Sequence, residues 1–309
     1  MPKPIVVVGS INLDLVAAGE RVPLPGETLT GRTFSTFHGG KGANQAVAIG
    51  RLAYPVSMVG KVGDGSFGPT LKSALRKAGV DVRAVGTAKG SSGVALINIG
   101  DDGQNNIVVI PGANAKLLPQ DIMRSSAILR KAGMLLTQLE IPLITVETLA
   151  AFAHKNKIPL MLDPAPAREL PKGLLQCATW ITPNESETRI LCGLNANEPV
   201  TPETAERCAN LLLARGLKNV VIKMGSQGAF LATAAGTREM IPPFAVKAVD
   251  STAAGDAFNA GFAVSLLSGA APVQAARYAA AVAAISVTRM GAQPSMPSAR
   301  DVSRFLKSH

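Results

Sequence analysis

The sequence is short of the residues that would commit it to a disulfide scaffold, a zinc centre or a base-stacking surface. Its three cysteines, Cys177, Cys192 and Cys208, are odd in number and widely spaced. They form neither a disulfide framework nor a C-x-x-C ligand pair. There are also three histidines, one of them the final His309, which makes a poor ligand set for a His/Cys zinc site. Aromatic residues are 4%, with one Trp and two Tyr, so there is little to stack on bases. Long apolar runs are missing as well. Ala279–Val287 covers about half a bilayer. The N-terminus enters a short apolar run without the length or cleavage pattern of a signal peptide. The expectation is a soluble, reduced, cytoplasmic protein that engages neither membrane nor nucleic acid.

What is present points to a globular chain. It has 309 residues, 47% hydrophobic and 17% charged, enough for one large α/β domain or a main domain with an appendage. The net charge is 31 − 21 = +10. That balance suits anionic small substrates as well as nucleic acid. The basic residues are scattered, and their densest stretch, Lys72–Arg83, reads as a solvated helix face followed by a turn.

Short apolar runs alternate with helical patterns. Strands are expected at 4–9, 56–60, 134–138, 159–163, 178–182, 219–223 and 229–233. Helices are expected at 43–52, 67–78, 119–131, 143–154, 185–192, 202–215, 255–267 and 272–288. Such alternation implies a parallel sheet with helices on both faces. Segments 13–37 and 93–110 break the rule. Both read as hairpins that could pair into a small separate sheet.

Four clusters could carry chemistry. Gly63-Asp-Gly-Ser-Phe-Gly68, with Asp81 further on, has the form of a dinucleotide fingerprint. Asp64 and Phe67 obstruct that role, and a tight strand-to-helix turn is the better reading. Gly39-Gly-Lys-Gly-Ala-Asn-Gln45 sits at a helix N-terminus, as a cap or as a binding loop. Ala253-Ala-Gly-Asp256 also opens a helix. Asp256 there either complements the helix dipole or accepts the proton of an attacking hydroxyl as phosphate is transferred. In Thr182-Pro-Asn-Glu185, Asn184 is a helix cap and Glu187 a first-turn acid.

Taken in order, these clusters resemble the ribokinase family of carbohydrate kinases. The likeness begins at Val8-Gly-Ser-Ile-Asn-Leu-Asp14 and passes through Pro25-Gly-Glu-Thr28, Gly39–Gln45, Gln138-Leu-Glu140, Asp163–Pro171 and Thr182–Glu185. It ends at Ala253–Asp256 and Gly291-Ala-Gln-Pro-Ser295, and so covers nearly the whole chain. The resemblance implies a three-layer α/β/α domain over 1–309 with a mainly parallel sheet. A small β-sheet lid is implied near 13–37 and 93–110, through which two copies would form a homodimer. The implied reaction is ATP-dependent phosphorylation of D-ribose at O5, giving ribose 5-phosphate and ADP. The alternative is a kinase for deoxyribose, another furanose or a nucleoside.

Carried over by position, the sugar site would be Asn12, Asp14, Gly40, Lys41, Asn44, Glu140 and Asp256. Asp256 would be the base, with Ala253, Ala254 and Gly255 forming an anion hole. ATP would be held by Asn184, Lys223, Gly225, Ser226, Gly228 and Gly255. Glu187 would help place Mg²⁺ through water. A monovalent cation, K⁺, would lie at Asp250, Thr252, Ser286, Arg289, Gly291 and Ser295, mostly on backbone carbonyls. Lys223 stands where close relatives often carry Thr, which leaves ATP chemistry intact but bears on the choice of sugar. Outside this class, a non-catalytic sugar sensor and a dehydrogenase using Gly63–Gly68 are the competing readings.

Overall fold

The computed structural model describes residues 2–309. Its first strand, β1 (Ile5–Val8), is four consecutive buried aliphatic residues. Apolar side chains on both faces suit the middle of a parallel sheet covered on both sides. The chain continues through β2 (Asn12–Ala18), β3 (Thr33–Gly39), α1 (Lys41–Arg51), β4 (Val56–Gly63), α2 (Phe67–Lys77), β5 (Val85–Ala88), β6 (Gly93–Ile99) and β7 (Asn105–Ile110). Two short helices, α3 (Pro119–Arg124) and α4 (Ser126–Leu129), precede β8 (Met134–Thr137), α5 (Leu143–Lys155), β9 (Leu160–Leu162), α6 (Lys172–Cys177) and β10 (Trp180–Ile181). Next come α7 (Glu185–Cys192), α8 (Pro202–Ala214), β11 (Asn219–Lys223), β12 (Ala229–Thr233) and β13 (Arg238–Ile241). The chain closes with α9 (Ala254–Leu267), α10 (Pro272–Ser286), α11 (Ala292–Ser295) and α12 (Ala299–Ser308).

The large sheet runs β13-β12-β11-β10-β9-β8-β1-β4-β5. It is parallel from β5 to β11, and β12 and β13 add antiparallel edges. Alternate residues of β1 divide two cores. Ile5 and Val7 pack with α1, α2, α9, α10 and α12. Val6 and Val8 pack with α3 through α8. Helices therefore cover both faces, as the alternation of strand and helix requires.

The small sheet, β3-β2-β6-β7, is separate. β2 runs antiparallel to β3 and parallel to β6, and β6 is antiparallel to β7. Asn12 is in register with both Gly39 and Gly93, so one end of this sheet adjoins the end of β1.

The sequence expectations differ from the structure in places. The helix expected at 119–131 breaks at Ser125, whose φ of −86° and ψ of 3° leave helical geometry. The strands β5 and β13 and the helices α6 and α12 were not foreseen. β5 buries only Val85 and β13 only Ile241, and α12 buries only Val302. Elements this short or this exposed carry too few apolar residues to register as periodic.

Candidate active site

The C-terminal ends of β8 to β11 meet the N-termini of α1 and α9. In open α/β sheets this edge is where ligands bind. Two glycines seat α1 here. Gly40 has φ of +85°, and a Cβ on it would lie 2.8 Å from Asn12 N. A Cβ on Gly42 would lie 2.7 Å from Ser10 N. Both glycines permit backbone to meet backbone, so the N-terminus of α1 rests on the turn between β1 and β2. Glu140, after β8, is drawn onto this junction. Its Oε2 accepts from Ser10 Oγ at 2.5 Å and from Lys41 N at 3.0 Å.

Asp256 lies in the first turn of α9, 4% exposed. Its Oδ2 accepts from Asn44 Nδ2 and its Oδ1 from Gln45 Nε2, each at 3.0 Å. The same Gln45 nitrogen donates to Asp163 Oδ2 at 3.0 Å. Asp163 Oδ1 pairs with Lys223 Nζ at 3.1 Å. Burial pushes the Asp256 carboxyl up to about 6; Lys41 opposes this shift and Asp163 adds to it. Burial, with Glu140 alongside, raises Asp14 to about 7. For Lys41, burial works against the charge, but Asp256, Asp163, Glu140 and Glu187 outweigh it and hold the ammonium above its ordinary range.

The head of α9 is suited to hold an anion. Ala253 caps it in the left-handed region at φ +60°, a conformation that costs a non-glycine residue about 1–2 kcal/mol. The first helical amides have no intrahelical acceptor. Ala254 N is the exception among the expected donors, because it donates to Ser251 O at 3.2 Å. The amides of Ala253, Gly255 and Asp256 have no backbone acceptor. Lys223 Nζ stands over this turn, 3.2 Å from where a Cβ on Gly255 would be.

On the far side, Asn184 and Glu187 form a capping box on α7. Asn184 Oδ1 accepts from Glu187 N at 2.9 Å, and Glu187 Oε2 accepts from Asn184 N at 2.7 Å. Burial raises Glu187, and Lys223 counters it. Gly225 and Ser226 are exposed beyond β11. Gly228, at φ +93°, has no room for a Cβ, which would collide with Ile241 O and Pro243.

The expected cation residues are drawn together in part. Asp250 Oδ1 accepts from Thr252 N and its Oδ2 from Gly291 N, each at 2.8 Å, which ties the two loops. Burial would raise Asp250, but these bonds hold it below the usual carboxylate range. Ser286 and Ser295 turn their hydroxyls back to Ala283 O and Ala292 O. The Arg289 guanidinium pairs with Asp301 Oδ2 at 3.3 Å, away from the Asp250 loop. Apart from the Asp250 carboxylate and the Thr252 hydroxyl, these positions offer mainly backbone oxygens. An all-oxygen set of this kind suits a hard cation. Glu187 keeps one carboxylate oxygen outside its capping bond, which fits Mg²⁺ held mainly by phosphate and water.

Gly63–Gly68 does not form a dinucleotide cradle. A Cβ on Gly63 would strike the backbone of 90–92, and one on Gly68 would strike Gly63 O. Asp64 Oδ1 accepts from Gly90 N at 2.8 Å. Asp81 holds the Arg83 guanidinium. This loop is a chain-to-chain turn.

Sequence reasoning missed Gln45, Gln138, Asp163, Ser10 and Asn114 as members of the site. Asn114 donates to Asn12 Oδ1 at 2.6 Å and accepts from Ile11 N at 2.9 Å, which fixes Asn12. Gln45 and Asp163 stand in quoted motifs, and their signal is a polar residue in an otherwise apolar helix face or strand end.

A buried carboxylate beside free helix-head amides places a candidate proton acceptor next to a group that can hold an anion. The pfkB family carbohydrate kinase profile matches residues 3–299, and the chain belongs to that family. It is 40% identical over 308 residues to a ribokinase from Haemophilus influenzae, covering 99% of each chain. It is 37% identical over 305 residues to a deoxyribokinase from Salmonella typhi, covering 98% of each. Among solved structures it is similar to Arabidopsis thaliana ribokinase complexed with ribose and ATP, with a TM-score of 0.93, 35% identity and 99% of each chain covered.

Proposed function

We propose that the chain transfers the γ-phosphoryl group of ATP to O5 of D-ribose, giving D-ribose 5-phosphate and ADP. The carrying observation is Asp256, buried at the head of α9 beside unpaired amides and oriented by Asn44 and Gln45. Asp256 takes the proton of the sugar's terminal hydroxyl as the oxygen attacks phosphorus. The amides of Ala253, Gly255 and Asp256, with the dipole of α9, stabilise the charge on the moving group. Lys41, protonated among four carboxylates, supplies a cation on the same side. Most of the catalysis is then positioning and electrostatics, as in phosphoryl transfer generally.

Asn12, Asp14, Gly40, Lys41, Asn44 and Glu140 hold the sugar. A ring of hydroxyls needs acceptors and donors in such numbers, and a sugar lacking a matched hydroxyl strands a buried partner. Asn184, Lys223, Gly225, Ser226, Gly228 and Gly255 face the nucleotide. Mg²⁺ near Glu187 would neutralise phosphate charge, and K⁺ in the Asp250–Gly291 loops would order the turn that precedes α9.

The test is ADP release with Mg-ATP across ribose, deoxyribose, arabinose, fructose and adenosine, in potassium, sodium and ion-free buffer. Ribose should stimulate most, and potassium should raise the rate. A larger response to deoxyribose would move the substrate to the second reading, which the 37% identical deoxyribokinase supports. Equal rates in all three buffers would remove the cation site.

The small sheet is the lid of this unit, and its outer face fits a second copy. Phe34, Leu96 and Val108 share the face opposite Asp14, and they are 68%, 43% and 59% exposed. An exposed apolar edge of this kind ordinarily needs cover. Val108→Asp should convert a dimer to a monomer in analytical ultracentrifugation. An unchanged sedimentation coefficient, or a parent protein that is already monomeric, would contradict the lid dimer. No helix among the described residues is long and apolar enough to cross a membrane. The three cysteines are unbridged, which accords with a reducing compartment, the cytoplasm.

A further inference from the structure

Gln45 holds two carboxylates with one amide. Its Nε2 lies 3.0 Å from Asp256 Oδ1 and 3.0 Å from Asp163 Oδ2. A primary amide has two hydrogens, so each carboxylate receives one, and the nitrogen has nothing left to give. Gln45 is 1% exposed, so no water competes for these bonds. The far end of the side chain is fixed too. Gln138 Nε2 donates to Gln45 Oε1 at 2.6 Å. This bond decides which way the Gln45 amide faces, since a flipped amide would set its oxygen against two carboxylates and its nitrogen against the Gln138 nitrogen.

The arrangement is maintained at a cost. Gln138 Oε1 is buried without a partner. A buried polar atom left unpaired costs about 1–3 kcal/mol. Gln138 also needs Gly9, where a Cβ would overlap its Oε1. The chain of contacts runs from the end of β1 through Gln138 and Gln45, then branches. One branch is Asp256, on the sugar side. The other is Asp163, whose second oxygen holds Lys223 beside Gly255.

We propose that Gln45 is a positioning residue for phosphoryl transfer: its one amide ties the base, Asp256, to the Asp163–Lys223 pair on the nucleotide side, so that acceptor and phosphoryl donor are held in one register. The inference rests on the kinase reading above. Gln45 touches no reacting atom in this scheme. It fixes the rotamer of Asp256 and, by donating to the carboxylate, favours its ionised form. The groups facing Asp256 are Lys41, Asn44 and Gln45 from α1, with Asp163 and, through it, Lys223. Lys41 and the two amides favour the charge, and burial and Asp163 oppose it.

Gln45→Met keeps length and removes all three bonds, the two to the carboxylates and the one from Gln138. Loss of a hydrogen bond to a charged group should lower kcat about 10- to 100-fold. The KM for sugar should change less than threefold, because Gln45 is not among the sugar's partners. The acid limb of the kcat/KM profile should move to higher pH, since one group favouring the ionised base is gone. A purely structural role would lower Tm without moving that limb. Gln138→Met is the second variant. It leaves Gln45 in place but frees its amide to flip, and should reproduce the pH shift in smaller measure. It decides the matter if Gln45→Met does not fold. Folded variants whose kcat and pH profiles superimpose on the parent's would overturn the inference. A parent protein that phosphorylates none of the sugars would overturn the kinase reading instead, so the two failures are distinguishable.

Discussion

Asp256→Asn should lower kcat by about 100- to 10,000-fold while ribose still binds, the range expected for loss of a general base. The exchange is nearly isosteric but inverts part of the local hydrogen bonding. Both Asp256 oxygens accept from side-chain amides, Asn44 on one and Gln45 on the other. An Asn side chain has one acceptor, so one neighbouring donor would face a donor. Binding should therefore weaken somewhat, by less than tenfold in ribose Kd measured by calorimetry, while turnover collapses. The pH profile gives a second reading of the same experiment. Asp256 must be ionised to take a proton, and burial raises it to about 6, so kcat/KM in the parent falls as pH drops through about 6. The residual activity of Asp256→Asn should lack that limb. Turnover near the parent's, with the limb intact, would remove Asp256 as the base.

Much of this site was legible in the sequence, and the limits of that legibility have physical causes. Asn184 and Glu187 could be read because a capping box is local, three residues apart, and the structure contains that box. The strands β1, β8 and β9 could be read because burial on both faces leaves a continuous apolar run. Gln45 could not be read as a bridge, since its partners lie 118 and 211 residues away. Spacing along the chain carries nothing about such contacts; only the closed sheet brings them together. Which of the amides at the head of α9 is free could not be read, because the bond from Ala254 N to Ser251 O accompanies the left-handed turn at Ala253. A glycine pattern was similarly ambiguous. Gly40 and Gly63 both stand in glycine-rich loops between strand and helix. Gly40 lets a helix N-terminus approach Asn12 N, and Gly63 lets one loop lie on another. The difference lies in what each backbone meets, which the sequence does not record.

The same geometry makes Lys41 the second position of large effect. Lys41 stands among Asp256, Asp163, Glu140 and Glu187, which together hold it charged against the cost of burial. Lys41→Met keeps the length of the side chain and removes the only cation among the sugar-side groups. Two consequences follow. Without the ammonium, charge on the moving phosphoryl group loses one of its stabilisers, and kcat should fall about 100- to 1,000-fold, the loss seen when one such electrostatic donor is deleted. The carboxylates also lose their counter-charge, so Asp256 should rise further above its present value near 6. A carboxylate whose folded pKa lies above its unfolded value near 4 has its stability fully present below that unfolded value. The stability is lost as pH rises through the folded pKa. The variant's deficit in Tm should therefore be small at pH 5 and larger at pH 8, beyond the values near 6 and 7 for Asp256 and Asp14. At pH 8 the loss of stability should amount to about 1–3 kcal/mol, the cost of leaving a buried polar group unpaired. Scanning calorimetry at the two pH values, alongside turnover, separates the effects. A deficit independent of pH would mean that Lys41 contributes packing and not charge, and unchanged turnover would take it out of the reaction.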